Sequence, residues 1–512
     1  MNSEILPENQ QILGHPKGLF ILFMTELWER FSFYGMKALL IFYLVKYHLF
    51  SDASGNLIVG SYAALVYAMP VIGGYIADKY LGFKKAVIFG AILLVLGHAG
   101  MAFEGNAATE LADGTISRDE GALQIFFFSL SLIVLGVGFL KANISSIVGE
   151  LYEKNDPRRD GGFTIFYMGI NLGSFISTLL CGWLGETYGW GYGFGAAGIG
   201  MLIGLVTFLY GSKYFGNKAD PKNPEMLKEK VFGMITKEWL IYLISILSIG
   251  VIWFIIQNHS YVEGLLIGAS IASLAFIIYQ LTISEKVERE RLIALTLLIV
   301  FSVVFWALFE QAYTSLNLFA DRSLDRNILG FEVKASSFLS LNALFIVLFA
   351  PVFAWLWVKL AKINMEPNTV VKFGIAIVLV GLGFGALVLG GSLADGGKVA
   401  AIWLVLAYLL HTWGELCLSP VGLSSVTKLS PVRIVGFMMG VWFLATAGAE
   451  YVSVLLANLA SIDTAGGEVA DVTQATAGYI NLFKKLFYTG GIIGVFLLVI
   501  SPLVKKLMHG IK

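Results

Sequence analysis

The sequence predicts an all-α polytopic membrane protein of fourteen spans, twelve of them in two six-helix halves and two in an inserted hairpin. Three observations predict it. Hydrophobic residues make up 57% of the 512 and charged residues only 14%, more apolar surface than a soluble core can bury. Apolar windows long enough to cross a hydrocarbon layer of ~30 Å recur along the chain between polar breaks. A helix–loop–helix unit also occurs twice: Lys141 lies sixteen residues before Pro157, with Gly162-Phe163 beyond it, and Glu415 lies sixteen before Pro431, with Gly436-Phe437 beyond it. Parallel repeats of this kind build one broad class of secondary transporters, with the site at the midplane between halves.

Taken in order, the expected spans are 18–48, 57–81, 84–104, 122–152, 161–186, 192–212, 237–257, 260–283, 290–320, 335–361, 370–392, 399–428, 432–461 and 479–508. This gives an N-terminal tail (1–17), a six-helix bundle (18–212), a linker (213–236), the hairpin (237–283), a second bundle (284–508) and a short tail (509–512). The hairpin spans are joined by only Asn258-His259 and read as a lipid-facing accessory. The first seventeen residues lack a basic segment joined to a short apolar core, so the first span itself is expected to direct insertion. Lys and Arg gather in alternate loops, after the second, fourth and sixth spans and onward, which places both termini in the cytoplasm. Arg322, Arg326 and Lys334, after the ninth span, break the alternation.

Overall charge carries little information, because Lys plus Arg (35) equal Asp plus Glu (35) and no charge run marks a nucleic-acid partner. Cys181 and Cys417 lie in apolar segments without a CxxC or a Cys/His cluster, which argues against a disulfide framework, a zinc site or a thiol redox centre. No metal-ligand set, Gly-x-Ser-x-Gly nucleophile or intramembrane Asp pair points to an enzyme. His411, four residues before Glu415, reads as a helix-packing histidine.

Charge inside the spans is the informative feature. Glu26, Glu29, Arg30 and Lys37 are spaced so that all four share about a third of the circumference of the first helix. Each ionisable group costs ~2.5–3.5 kcal/mol at membrane depth, so such groups pair, line a wet cavity and usually carry function. Beyond them come Lys141, Glu310, Glu415 and Glu450. Arg30 and Lys141 precede the hairpin; Glu310 and Glu415 follow it. A cavity between the halves would be dipolar and suit a zwitterion, its carboxylate held by Arg30 and Lys141 and its ammonium by Glu415. In the ninth span Trp306, Glu310, Tyr313, Thr314 and Asn317 fall on one face of a continuous helix. Tyr67, Asn171, Asn342 and Trp442 are further polar or amphipathic groups within spans, and an amide can meet a peptide backbone without reading side chains.

At this point the residues resemble a known family. Glu26-Leu-Trp-Glu29-Arg30-Phe31-Ser-Phe33-Tyr34-Gly35 is similar to the ExxERFxYYG motif of the proton-dependent oligopeptide transporters, members of the major facilitator superfamily. Gly73-Gly74 through Asp78 to Lys84-Lys85 resembles that family's second-to-third-helix signature. Phe163 to Ser174, with Asn171, resembles its fifth-helix signature, and Gly414-Glu415 with Ser419-Pro420 its tenth-core-helix pattern. The resemblance implies the major facilitator fold in a bacterial cytoplasmic (inner) membrane, the hairpin being an insertion seen in bacterial members. It also implies symport of di- and tripeptides with protons by alternating access, with no cofactor beyond the proton gradient.

It further implies that Arg30, Tyr34, Tyr67, Lys141, Asn171, Trp306, Asn342, Glu415 and Trp442 line the peptide site. Glu26, Glu29 and Glu310 would couple protons, and Lys37 with Glu310 would form a gate. Three departures stand out. Phe33 replaces a Tyr and removes a hydroxyl; Lys141-Ala142-Asn143 replaces Lys-Pro-Asn, leaving the local bend open; Lys37 stands where relatives often have Arg, so its bridge would be a point contact. An alternative keeps the fold and proton coupling but carries another solute, such as an amino acid, nitrate or a peptide-like drug. Oligomeric state is not legible from the sequence.

Overall fold

The computed structural model describes residues 11–153, 156, 158–462 and 469–511. Long helices dominate. The first half of the chain supplies α1 (Lys17–Phe42), α2 (Asp52–Ile76), α3 (Phe83–Met101), α4 (Glu120–Glu150), α5 (Arg159–Tyr188) and α6 (Trp190–Gly211). A short helix α7 (Pro224–Lys228) precedes the hairpin α8 (Lys237–Gln257) and α9 (His259–Ile283). There follow α10 (Lys286–Phe309), α11 (Ser315–Arg322), α12 (Ser340–Lys362), α13 (Thr369–Ser392), α14 (Ala401–Leu429), α15 (Val435–Ala457) and α16 (Val472–Leu507). Strands are confined to short two-stranded ribbons in the loops.

Among the described residues, 13 helical segments are long and apolar enough to cross a membrane. The segment expected as the first span is α1, which carries Glu26, Glu29, Arg30 and Lys37 and is not one of the 13; the predicted all-α architecture is the one observed. Lys154, Asn155 and Pro157, part of the first copy of the repeat, lie outside the described residues, as do 1–10 of the N-terminal tail.

The chain packs as two compact units. One holds the described residues up to Leu39, Ala68–Ala107 and Ser117–Gln257; the other holds Leu40–Tyr67, Ala108–Ile116 and Asn258 onward. Thus α8 belongs to the first unit, where Gln124 meets Gln257 at 3.1 Å and Lys85 pairs with Glu238 at 2.6 Å. Its hairpin partner α9 belongs to the second, where Arg433 reaches Gln280, Ser284 and Glu288.

Two of the helix starts are set by a capping aspartate. Asp119 accepts the Ala122 amide ahead of α4, and that bond, with the one from Asn106, holds its carboxyl below the usual carboxylate range. Asp471 accepts the Thr473 and Gln474 amides, so α16 begins at Val472 and not at the expected 479. Its first turns are polar, and a hydropathy window passes over a capped polar turn.

Two other elements differ from expectation. The ninth span is not one helix: α10 ends at Phe309, Glu310–Tyr313 form a tighter 3₁₀ turn, and Thr314 leaves helical geometry at φ −127, ψ −98 before α11. The single face expected for Trp306 to Asn317 is therefore interrupted, because its spacing assumed unbroken α-helical periodicity. In α4 the helix runs without a break through Lys141-Ala142-Asn143, where the Asn143 amide donates to the Phe139 carbonyl at 2.7 Å.

Candidate functional site

Close backbone approach positions the charged face of α1. A Cβ built on Gly173 of α5 would lie 2.2 Å from the Leu27 carbonyl oxygen, so only glycine lets α5 lie against α1 at this depth. The same device acts where Gly73 of α2 faces the Gly138 carbonyl of α4, at 2.1 Å from a built Cβ. These contacts hold α1 and α4 in the first unit, and with them the residues that carry charge.

In that unit Arg30 lies between two carboxylates. Its Nε is 3.0 Å from Glu26 Oε1 and also contacts Glu29 Oε2, with every side chain of the three at most 4% exposed. Lys141, half-buried on α4, interacts electrostatically with both glutamates and with Arg30 and Lys37. The guanidinium also sits 5.5 Å from the Phe33 ring centre, so the residue that departs from the family pattern keeps a cation–π contact in place of a hydroxyl. Tyr34 is half-buried beside Phe33, their rings edge to face at 5.2 Å. Asn171 is buried on α5, and its amide donates to the Tyr167 carbonyl one turn back at 3.1 Å.

The second unit carries the acidic groups. Asn342 of α12 donates to Glu415 Oε2 at 2.9 Å and to Thr412 Oγ1 at 3.1 Å, which fixes the carboxylate on α14. Glu310, buried at the start of the 3₁₀ turn, lies within electrostatic reach of Glu415. Trp306 is half-buried and packs edge to face on Phe305 and Phe309. Trp442 is buried against Gly422, where a Cβ would come within 2.4 Å of the indole. Tyr67 is half-buried in this unit. His411 donates from Nε2 to the Val380 carbonyl at 3.1 Å and serves packing, as its sequence context suggests.

A polar network that sequence reasoning missed lies at one end of the second unit. Asp52, at the start of α2, accepts two hydrogen bonds from Arg322 and one from the Ile462 amide, and Arg322 also donates to Tyr479 Oη at 3.0 Å. Nearby, Lys46 pairs with Asp321 at 2.7 Å, and Arg326 pairs with Glu332 at 3.0 Å. Two of the three cations that broke the loop alternation are thus neutralised locally. The violation itself was the available signal, since Arg322 beside an apolar span required a carboxylate nearby.

Gln311 was missed as well. Its amide donates to the Ser453 carbonyl at 2.7 Å and hydroxyl at 3.1 Å, and its carbonyl oxygen accepts from Ser315 at 2.6 Å. Among the described residues no group of His, Cys, Asp and Glu is arranged to hold a metal ion.

The sequence model of the POT family matches residues 84–471. Peptide transporter YePEPT of Yersinia enterocolitica is 40% identical over 463 residues, covering 86% of this chain and 87% of the relative. Dipeptide and tripeptide permease A of Erwinia pyrifoliae is 34% identical over 498 residues, covering 96% and 95%. A crystal structure of a mutant of peptide transporter POT in complex with alafosfalin has a TM-score of 0.79 at 36% identity, covering 98% of each chain.

Proposed function

The chain belongs to the POT family, and from that premise we propose that it imports di- and tripeptides together with protons by alternating access. The observation that carries this reading is the burial of Arg30 against Glu26 and Glu29, with Lys141 in the same field. Ionised, the glutamates occupy the cations. Protonated, they release Arg30 and Lys141 to bind a peptide carboxylate, Arg30 bidentately. Proton and peptide then favour the same state, which is the thermodynamic condition for symport.

In this reading Glu415, oriented by Asn342, takes the peptide ammonium, while Tyr34, Tyr67, Asn171, Trp306 and Trp442 line the site. Glu310 joins Glu26 and Glu29 in proton coupling, and Lys37 with Glu310 acts as a gate. The protein works as a carrier without catalysis or a bound cofactor, in the bacterial inner membrane, with both termini cytoplasmic. Its two functional halves are 18–212 and 284–508, linked through 213–236 and the hairpin at 237–283.

The test is uptake of labelled dialanine into proteoliposomes under an imposed inward proton gradient, competed by tripeptides, free alanine and nitrate. Tripeptides are expected to compete, and alanine and nitrate to leave uptake unchanged. Competition by alanine or nitrate with none by tripeptides overturns the substrate assignment.

A further inference from the structure

We propose that the first unit carries an anion site for the phosphate of an anionic glycerophospholipid headgroup, separate from the peptide-handling residues. It is a hollow of about 440 Å³ where α1 begins and α4 and α6 end, lined by Lys17, Lys213, Lys218, Tyr214 and Leu151 among others.

Three features converge on it. First, among the described residues its wall carries three lysines and no acid. None of the three has an ion pair among the described residues, whereas Lys222, Lys228 and Lys237 further along the chain each hold a carboxylate. Second, two of these lysines are drawn to one ring: Lys17 Nζ lies 5.9 Å and Lys213 Nζ 5.3 Å from the centre of Tyr214. Like charges gathered without a counter-charge repel, and an anion seated between them removes that repulsion. Third, the wall includes Lys17 and Gly18, the first residues of the 26-residue α1, whose N-terminal amides add a positive field to the lysines.

The surroundings favour a lipid over a soluble ion. Three transmembrane helices end here, so the hollow lies at headgroup depth. A tyrosine at that depth with Leu151 and Phe215 beside it offers an apolar wall to a glycerol backbone. The volume is larger than a phosphate alone needs and accommodates a phosphate with its glycerol substituents.

The experiment uses the full-length protein purified in mild detergent and native mass spectrometry with added phosphatidylglycerol, phosphatidylcholine or inorganic phosphate. Phosphatidylglycerol adducts are expected on the wild type in excess over phosphatidylcholine. Loss of surface lysines weakens anionic lipid binding roughly fivefold per residue, so the Lys17→Gln, Lys213→Gln, Lys218→Gln triple variant should lose the adduct by on the order of a hundredfold. A triple variant of equal charge, Lys228→Gln, Lys359→Gln, Lys362→Gln, should keep it. If the first triple variant fails to fold, the exposed single change Lys213→Glu provides the same reading with a loss of at least fivefold. Equal adduct formation by wild type and both triple variants overturns the site. Binding of inorganic phosphate that the triple variant abolishes, without a phosphatidylglycerol adduct, overturns the lipid assignment.

Discussion

Arg322 grips Asp52 with both ends of its guanidinium, Nη1 to Oδ2 at 2.6 Å and Nη2 to Oδ1 at 2.8 Å, although the two residues lie 270 positions apart in the chain. The pair is buried, with side chains 4% and 2% exposed, and each member has a further partner, Tyr479 for Arg322 and the Ile462 amide for Asp52. Removing one partner leaves a desolvated charge, which costs about 3–5 kcal/mol. Asp52→Asn and Arg322→Gln should each lower the thermal unfolding midpoint of the detergent-solubilised protein. The double variant should be less destabilised than the sum of the two, as a double-mutant cycle reads directly. Additive effects would show that the contact contributes nothing.

Glu26→Gln and Glu29→Gln remove the acids that hold Arg30. Uptake driven by a proton gradient should fall at least tenfold in one or both variants, while peptide counterflow without a gradient persists. Gradient-driven uptake unchanged in both variants would sink the coupling role.

Glu415→Gln keeps the shape of the side chain and removes its charge. A charged group contributes about 1.5–3 kcal/mol through a hydrogen bond to a ligand, so competition by unmodified dialanine should weaken ten- to hundredfold. Binding of an N-acetylated dipeptide, which lacks the ammonium, should change little. Asn342→Ala frees the same carboxylate from its 2.9 Å bond and should give a smaller loss in the same direction. Parallel loss for both ligands would exclude an ammonium contact.

Gly173→Ala places a methyl where 2.2 Å separates it from the Leu27 carbonyl oxygen. Overpacking of this kind costs about 1–3 kcal/mol. The variant should express in lower yield and unfold earlier, while alanine at Gly440, which has nothing within 4 Å, should be near neutral. Size-exclusion profiles and unfolding midpoints of the two compare them.

The fold class was legible because spanning a bilayer demands long apolar windows, and the charged face of α1 because both members of each local pair lie within a few residues. Asn342 and Glu415 were each visible as polar groups inside spans. Their hydrogen bond joins residues 73 apart and leaves no local spacing to read. The interruption at Glu310–Thr314 was hidden for a different reason. No proline or glycine marks it, and the Gln311 bonds to Ser453, 142 residues away, are tertiary. Asp52 looked like an ordinary loop acid, since nothing near it in the chain reveals that an arginine from α11 reaches it.

An interface in which a single methyl has no place is also an interface without slack. Where Gly173 meets Leu27, the backbones of α5 and α1 lie in direct contact, and any side chain at 173 would have to push one helix off the other. The same contact sets Glu26 and Glu29, one residue before and two after Leu27, directly beside the α5 backbone. In the proposed coupling, a proton taken up on α1 is therefore taken up at the face that α5 covers.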